Sequence, residues 1–148
     1  MKLTIRPASQ ETFAEMATWR YEPPFDFYDG EAEPVLNPER FYEALDEDGL
    51  LVGNYYFEEK VDALEIGLGL RPDLTGRGLG LEFFAAGLDF GRRRFRPARF
   101  ILNVAAFNER AIKVYERAGF RETSRHTRQF DRWGAVEFVE MEESTAPG

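Results

Sequence analysis

The chain has 148 residues, of which 43% are apolar and 31% are charged, with a formal net charge of −8. This composition is typical of one soluble globular domain and excludes a disordered chain or a repeat protein. It holds no cysteine, one histidine and three serines, none of them in a Gly-x-Ser-x-Gly elbow. A disulfide framework, a cysteine acyl-enzyme and serine-type catalysis are therefore excluded, and we expect no metal site. With neither a signal peptide nor a membrane-spanning run, the chain is expected in the cytoplasm.

Charge is distributed unevenly along the chain. Residues 22–65 hold 14 acidic and two basic residues, whereas residues 71–128 hold 13 basic and six acidic ones. Because surface fields steer charged ligands, this pattern favours a cationic partner at the first segment and a polyanionic one at the second. An ordinary solvated surface is the alternative interpretation.

The first half of the chain predicts four strands and one helix. Alternating apolar residues indicate a strand at residues 3–5, and Ser9 is positioned to cap an amphipathic helix over 10–20. Two prolines and a glycine make residues 21–30 an aromatic, acidic loop. Apolar runs at 41–45 and 50–57 flank an Asp-Gly step and predict a β-hairpin, which a strand over 63–70 follows.

The second half alternates helices and strands. A glycine-rich turn leads into a helix that we expect to end near Gly91, followed by an apolar strand at 100–104 and a helix over 109–118. Two strands, 120–130 and 135–142, complete the pattern. This order predicts the α/β (α+β) class, with one mixed sheet and helices on both faces. We expect one domain over residues 1–143 and a frayed tail over 144–148.

The turn between the strand predicted over 63–70 and the helix that follows it contains three glycines, Gly76, Gly78 and Gly80. Bare backbone amides at the start of a helix bind phosphates. A P-loop is excluded because no Gly-Lys-Ser/Thr follows, and Leu81 and Phe83 stand where a dinucleotide fingerprint needs glycine. Tight turn geometry alone is the alternative explanation.

Two motifs carry a resemblance to a known family. The stretch 70–80, Leu-Arg-Pro-Asp-Leu-Thr-Gly-Arg-Gly-Leu-Gly, resembles the acetyl-CoA diphosphate loop of the GNAT N-acetyltransferases, usually Gln/Arg-x-x-Gly-x-Gly/Ala. Asn108-x-x-Ala111-x-x-x-Tyr115-x-x-x-Gly119-Phe120 resembles the second cofactor motif of that family. Two motifs in order are more specific than either alone, and the resemblance covers nearly the whole chain. Thr75 departs from the usual Gln/Arg.

The resemblance implies a mostly antiparallel sheet of six or seven strands, splayed between the fourth and fifth, with acetyl-CoA in the gap. Gly67 and Gly69 fit this arrangement, because glycine permits a bulge or the close approach of another backbone. The implied cofactor-binding residues are Leu68, Gly69, Leu70, Thr75, Gly76, Arg77, Gly78, Leu79, Gly80, Asn103 and Asn108.

The same resemblance suggests the catalytic groups. Tyr115 matches the general acid that protonates the departing thiolate, and a core tyrosine is the alternative. Glu65 is the candidate general base, acting directly or through water, and a solvated strand residue is the alternative. Some relatives carry their glutamate on the next strand, where this chain has Asn103. Further base candidates are Tyr28, Asp26 and Glu58.

The aromatic loop is expected to form the acceptor wall, with Tyr21, Phe25, Asp26 and Tyr28 as substrate-binding residues. Packing of this loop onto the sheet is the alternative. The sequence thus predicts direct acetyl transfer in a ternary complex to a primary amine on a small cationic molecule or a peptide terminus. A CoA-binding module without transfer activity is the alternative. The arginines at 92–99 are interpreted as solvated residues at the helix C-terminus or as neighbours of the CoA 3′-phosphate, and the net charge of −8 disfavours a nucleic-acid surface. The sequence is compatible with a homodimer.

Overall fold

A computed structural model of the chain describes residues 1–30 and 37–144. Within them, seven strands form one sheet in the order β1-β2-β3-β4-β5-β7-β6. The elements are β1 (Thr4–Pro7), α1 (Gln10–Met16), β2 (Phe41–Leu45), β3 (Leu51–Glu59), β4 (Leu64–Leu70), α2 (Gly80–Phe95), β5 (Phe100–Ala105), α3 (Glu109–Arg117), β6 (Phe120–Phe130) and β7 (Gly134–Glu143). Only β4 and β5 pair in parallel, so the predicted α/β fold and mostly antiparallel sheet are confirmed. Residues 145–148 of the expected tail lie outside the described residues.

The helices cover both faces of the sheet. On one face, Phe83 of α2 stacks on Tyr55 of β3 with ring centroids 4.5 Å apart. The helix α3 packs beside α2 through Tyr115 and Phe84, whose centroids are 4.7 Å apart. On the other face, the ring of Phe13 of α1 lies edge-on to the ring of Phe41 of β2, with centroids 5.7 Å apart. The predicted helices on both faces of the sheet are therefore confirmed.

Helix α1 is fixed at its start by Ser9, whose hydroxyl accepts a hydrogen bond from the Thr12 amide at 3.2 Å. The Glu43 carboxylate, 1% exposed on β2, accepts from Thr12 Oγ1, Arg6 Nε and the Ser9 amide. Burial acts to raise the pKa of Glu43, but these hydrogen bonds outweigh burial and hold the pKa below its ordinary value. This buried network ties α1 to the sheet.

Two predicted helix ends were wrong. Helix α1 stops at Met16 instead of residue 20, because the chain turns and the Gly30 amide donates to the Trp19 carbonyl at 2.9 Å. Helix α2 continues past Gly91 to Phe95. At Gly91 a Cβ would lie 2.9 Å from the Phe100 ring, so this glycine allows the helix to approach the sheet closely.

The hairpin between β2 and β3 forms as predicted. Asp46 accepts from the amides of Asp48 and Leu50, and Gly49 adopts a φ of 80° in the turn. The β3–β4 register runs without a shift from Glu59↔Leu64 to Gly53↔Leu70, so the bulge envisaged in β4 does not occur in this pair. At Gly69 the close neighbour is a side chain and not another backbone, since a Cβ there would lie 2.8 Å from Asn54 Oδ1.

Candidate active site

The sheet opens between β4 and β5. These strands pair only at Leu64↔Phe100 and Glu65↔Ile101, whereas β5 continues to pair with β7 as far as Ala105. The splay expected at the fourth and fifth strands is thus confirmed. Beyond Glu65 the inner edge of β4 faces a gap instead of a neighbouring strand.

Main-chain groups of β4 point into this gap. The Leu64 amide donates to the Arg99 carbonyl at 2.9 Å, so it faces the β5 side, and groups two residues apart along a strand point the same way. The backbone amides and carbonyls of Leu68 and Leu70 therefore face the opening. The Leu70 carbonyl accepts from the Tyr21 hydroxyl at 2.6 Å. Burial, with a smaller effect of Asp29, raises the pKa of Tyr21 to about 12, so this hydroxyl remains a donor.

The gap leads into a cavity of about 580 Å³. Its wall combines β4, β5, the glycine turn, the start of α3 and the aromatic loop. The predicted site residues in this wall are Leu68, Gly69, Leu70, Thr75, Gly76, Gly78, Leu79, Gly80, Asn103, Asn108, Tyr115, Tyr21, Phe25 and Tyr28. Three predicted residues, Glu65, Arg77 and Asp26, do not line it.

The glycine turn requires its glycines for conformational reasons. Gly76 and Gly78 have φ values of 73° and 76°, a region that L side chains rarely adopt. No side chain caps α2, whose N-cap position is Leu79. Gly80 lets the helices approach, because a Cβ there would lie 3.3 Å from Val114. The uncapped amides at this end of a 16-residue helix form a site suited to an anion.

The side chains in the loop do not supply the contact usual for the Gln/Arg position. The Thr75 hydroxyl donates to the Pro72 carbonyl at 2.7 Å, and Arg77 is exposed outside the cavity wall. A residue that sequence reasoning missed, Arg110, lines the cavity instead. Its guanidinium lies 4.4 Å from the centroid of the Phe25 ring. The only signal in the sequence was its place two residues after Asn108, at the start of the second motif.

Asn108 has two roles in the structure. Its Oδ1 accepts from the Ala111 amide at 3.2 Å and caps α3, while its Nδ2 donates to the Tyr28 hydroxyl at 3.3 Å. Burial raises the pKa of Tyr28, and hydrogen bonds from Asn108 and the Ala105 backbone oppose that rise. The helix cap and the aromatic loop thus meet at the cavity.

Tyr115 lies in the cavity wall and is 9% exposed. Burial, with a smaller effect from Tyr28, raises the pKa of Tyr115 above the ordinary value of a phenol. Its hydroxyl makes no hydrogen bond to another side chain or backbone group in residues 1–30 and 37–144. Tyr115 therefore carries a proton that no other described group engages.

Glu65 lies where β4 and β5 still pair, just outside the cavity wall. Its carboxylate accepts from Asn103 Nδ2 at 3.4 Å, and Asn103 does line the cavity. The other amide atom, Asn103 Oδ1, is buried with no partner among the described residues. Burial raises the pKa of Glu65, and the neighbouring Glu58 adds to that rise while Lys60 opposes it. Any contact of Glu65 with a ligand in the cavity would be indirect.

The aromatic loop divides between two environments. Phe27 packs against the β6–β7 hairpin, with Phe130 and Phe138 among its aromatic neighbours. Asp26 lines a second cavity, where its carboxylate lies 3.9 Å from Arg132. Only Tyr21, Phe25 and Tyr28 of the predicted acceptor wall face the main cavity.

Several described carboxylates of the acidic segment pair with basic side chains away from the cavity. Glu43 pairs with Arg6, and Asp62 pairs with Arg99. Glu58 pairs with both Arg40 and Lys60. Glu31 and Glu33 lie outside the described residues. No carboxylate of residues 1–30 or 37–144 lines the main cavity. The cationic acceptor therefore stays a prediction, to which the described wall adds no carboxylate.

The arginine cluster lies at the far end of α2. Arg92 pairs with Glu143, and Arg93 pairs with Asp89 at 2.9 Å. A helix of 16 residues is about 24 Å long, so these cations lie far from the glycine turn. The described part of the chain has no group of three or more residues suited to a metal ion and no helix long and apolar enough to cross a membrane.

Comparisons with known proteins agree with this geometry. The sequence profile described as an acetyltransferase (GNAT) domain matches residues 2–121. The mycothiol acetyltransferase of Clavibacter michiganensis subsp. michiganensis (strain NCPPB 382) is 37% identical over 100 residues, which are 67% of this chain and 32% of that protein. The mycothiol acetyltransferase of Streptomyces coelicolor is 37% identical over 99 residues, covering 64% and 31%. The chain spans about a third of the length of these curated relatives.

Solved structures share the fold over most of the chain. The spermidine N-acetyltransferase from Vibrio cholerae in complex with CoA and spermine has a TM-score of 0.74 at 18% identity, covering 95% of this chain and 94% of that one. A putative phosphinothricin N-acetyltransferase has a TM-score of 0.71 at 16% identity, covering 99% and 100%. At these identities the similarity shows the fold alone.

Proposed function

Because the chain belongs to the GNAT acetyltransferase family, whose acetyl donor is acetyl-CoA, we propose that it transfers an acetyl group to a primary amine by direct attack. The observation that carries this proposal is the cavity in which an open strand edge, an uncapped helix start and the proton of Tyr115 meet. We further propose that residues 1–143 act as one catalytic domain.

The described residues fit the cofactor. The amides of the Gly76–Gly80 turn would hold its diphosphate, since they are bare and no side chain caps α2. The backbone amide and carbonyl of Leu68, the backbone amide of Leu70 and the side-chain amide of Asn108 would hold its pantetheine arm. Bound acetyl-CoA supplies the thioester carbon that the amine attacks and the thiolate that leaves.

Tyr115 is the proposed general acid. Its raised pKa keeps the proton on Oη at physiological pH, and no other described group competes for that proton. A phenol in this position supplies the proton that the departing sulfur needs.

The attacking amine must lose its proton, because a lysine-type amine has a pKa near 10.4. The mostly apolar wall of the cavity disfavours an ammonium ion and so lowers that pKa. Glu65 is the proposed base, taking the proton through water, since its carboxylate lies behind Asn103 and not in the wall. Its raised pKa brings the carboxylate nearer to the pH at which a base is effective.

We propose a small molecule or a peptide terminus bearing a primary amine as the acceptor. The relatives and structural neighbours include mycothiol and spermidine acetyltransferases, which supports a small-molecule acceptor. The charged residues in the described wall are Arg110 and Arg117, so no preference for a cationic amine is proposed.

A panel of amines incubated with acetyl-CoA and read by mass spectrometry tests the function. We expect one class of primary amine to gain an acetyl group with release of an equal amount of free CoA. Binding of acetyl-CoA without turnover of any amine would support the alternative of a non-catalytic CoA-binding module. No thermal shift at acetyl-CoA concentrations of 100 times a micromolar Kd, where about 2.7 kcal/mol is expected, would contradict both.

A further inference from the structure

We propose that Arg110 and Phe25 form a clamp for the cofactor diphosphate, in which Phe25 positions the guanidinium and Arg110 donates hydrogen bonds to the phosphate oxygens. The clamp rests on the proposed use of acetyl-CoA. It assigns Phe25, expected in the acceptor wall, to cofactor binding.

The first step in the argument is the position of Arg110. A Cβ placed on Gly76 would lie 3.6 Å from Arg110 Nη1, so the guanidinium is beside the glycine turn. Arg110 is exposed and lines the cavity. No carboxylate within residues 1–30 or 37–144 pairs with it, whereas several other arginines of the chain are paired.

The second step concerns electrostatics. Arg110 occupies the first turn of α3 and lies near the uncapped start of α2. Both helix N-termini carry partial positive charge, which disfavours a cation. An anion bound between the turn and the guanidinium converts this unfavourable arrangement into a favourable one.

The third step concerns the shape of the guanidinium group. Its Cζ lies over the Phe25 ring, 4.4 Å from the ring centroid, and a cation–π contact of this kind uses none of the N–H donors. These donors match the geometry of phosphate oxygens. The contact with Phe25 thus restricts the rotamers of Arg110 without consuming the donors that a diphosphate needs.

The fourth step connects the clamp to the rest of the site. Phe25 belongs to the short 3-10 helix Phe25–Tyr28, and the Tyr28 hydroxyl accepts from Asn108 at the start of α3. Phe25 is therefore held against the same helix that carries Arg110. The side chain of Thr75 is engaged with Pro72, so Arg110 supplies from α3 the contact that the loop lacks.

The test measures the Kd of CoA and of pantetheine, which has no phosphate, by calorimetry. The variants are Arg110→Gln, Arg110→Lys, Phe25→Leu and the double variant. Arg94→Gln is the matched control, because Arg94 lies over the Phe95 ring at 5.1 Å at the opposite end of α2.

We expect Arg110→Gln to weaken CoA binding about 10- to 100-fold, the loss typical of a hydrogen-bonded charge, and to leave pantetheine binding unchanged. The control variant Arg94→Gln should bind CoA with the affinity of the wild type. Phe25→Leu should weaken CoA binding about 3- to 10-fold, with no further loss in the double variant, because Phe25 acts through Arg110. Arg110→Lys should recover only part of the affinity. The KM for the amine should not change in Phe25→Leu.

Three results would overturn the clamp. They are unchanged CoA affinity in Arg110→Gln, an equal loss of pantetheine affinity, and a raised amine KM with unchanged CoA affinity in Phe25→Leu. Failure of the wild-type protein to bind CoA would instead remove the proposed function on which the clamp depends, so the two failures are distinguishable.

Discussion

Replacing Tyr115 with phenylalanine separates a catalytic phenol from a core tyrosine. A general acid contributes about 10²- to 10⁴-fold to a rate, which corresponds to about 2.7–5.4 kcal/mol of transition-state stabilisation. The Tyr115 hydroxyl has no hydrogen-bond partner in the described part of the chain, so its removal leaves no protein donor or acceptor unpaired. We expect kcat to fall by that factor while the free energy of unfolding changes by less than about 1 kcal/mol.

Tyr55→Phe is the matched control. Tyr55 is fully buried on the same face of the sheet, and its hydroxyl donates to the Phe83 carbonyl at 2.6 Å. Loss of that hydrogen bond should lower the free energy of unfolding by about 1–2 kcal/mol and leave kcat nearly unchanged. The two variants should therefore show opposite effects on activity and stability.

The assays are steady-state release of free CoA and urea unfolding followed by fluorescence. Retention of wild-type kcat in Tyr115→Phe would refute the role of the phenol as general acid. An alkaline fall in activity below pH 10 that disappears in this variant would also contradict the reasoning, because burial places the pKa of Tyr115 above that value.

Three further predictions concern the turn, the buried carboxylate and the base. Gly78 and Gly49 both have a positive φ and open space around them, so replacing either with alanine should lower the free energy of unfolding by about 1–2 kcal/mol. Only Gly78→Ala should also weaken CoA binding in calorimetry. Equal CoA affinities of the two variants would contradict the role of the turn. Glu43→Gln should cost about 1–3 kcal/mol at pH 7 by urea titration. Hydrogen bonds outweigh burial and lower the pKa of Glu43, so its contribution is lost as the pH falls through that lowered value. A difference from wild type that does not shrink as the pH is lowered from 7 would refute this. Glu65→Gln should abolish the acid limb of the pH profile of kcat/KM, and an unchanged limb would exclude Glu65 as the base. Because burial raises the pKa of Glu65, the ionised carboxylate does not stabilise the fold, and the variant should be no less stable than wild type at pH 8.

The order of elements could be predicted because it depends on local patterns. Asp46 and Gly49 mark the hairpin, and Ser9 marks the start of α1. Helix ends were less predictable, since they depend on distant contacts. Gly91 resembles a helix terminator in the sequence, yet it lies inside α2. It is a glycine because the Phe100 ring leaves no room for a side chain at this position.

The glycine turn and Tyr115 could be located because each belongs to a contiguous motif. The pair of Arg110 and Phe25 could not, since 85 positions separate these residues and neither pattern refers to the other. The surroundings of the acidic segment could not be predicted for the same reason. Some of its described carboxylates pair with cations from distant parts of the chain, as Glu43 does with Arg6 and Asp62 with Arg99.

The short pairing of β4 with β5 weakens the connection between the two sides of the sheet. With only two residue pairs across the middle of the sheet, strands β1–β4 and β5–β7 form two halves joined there by few backbone hydrogen bonds. A ligand that fills the opening contacts both halves and takes the place of the hydrogen bonds that β4 and β5 do not make with each other. Amide hydrogen exchange along β4 and β5 should therefore slow on both sides of the seam when the cofactor binds, including at amides that it does not touch.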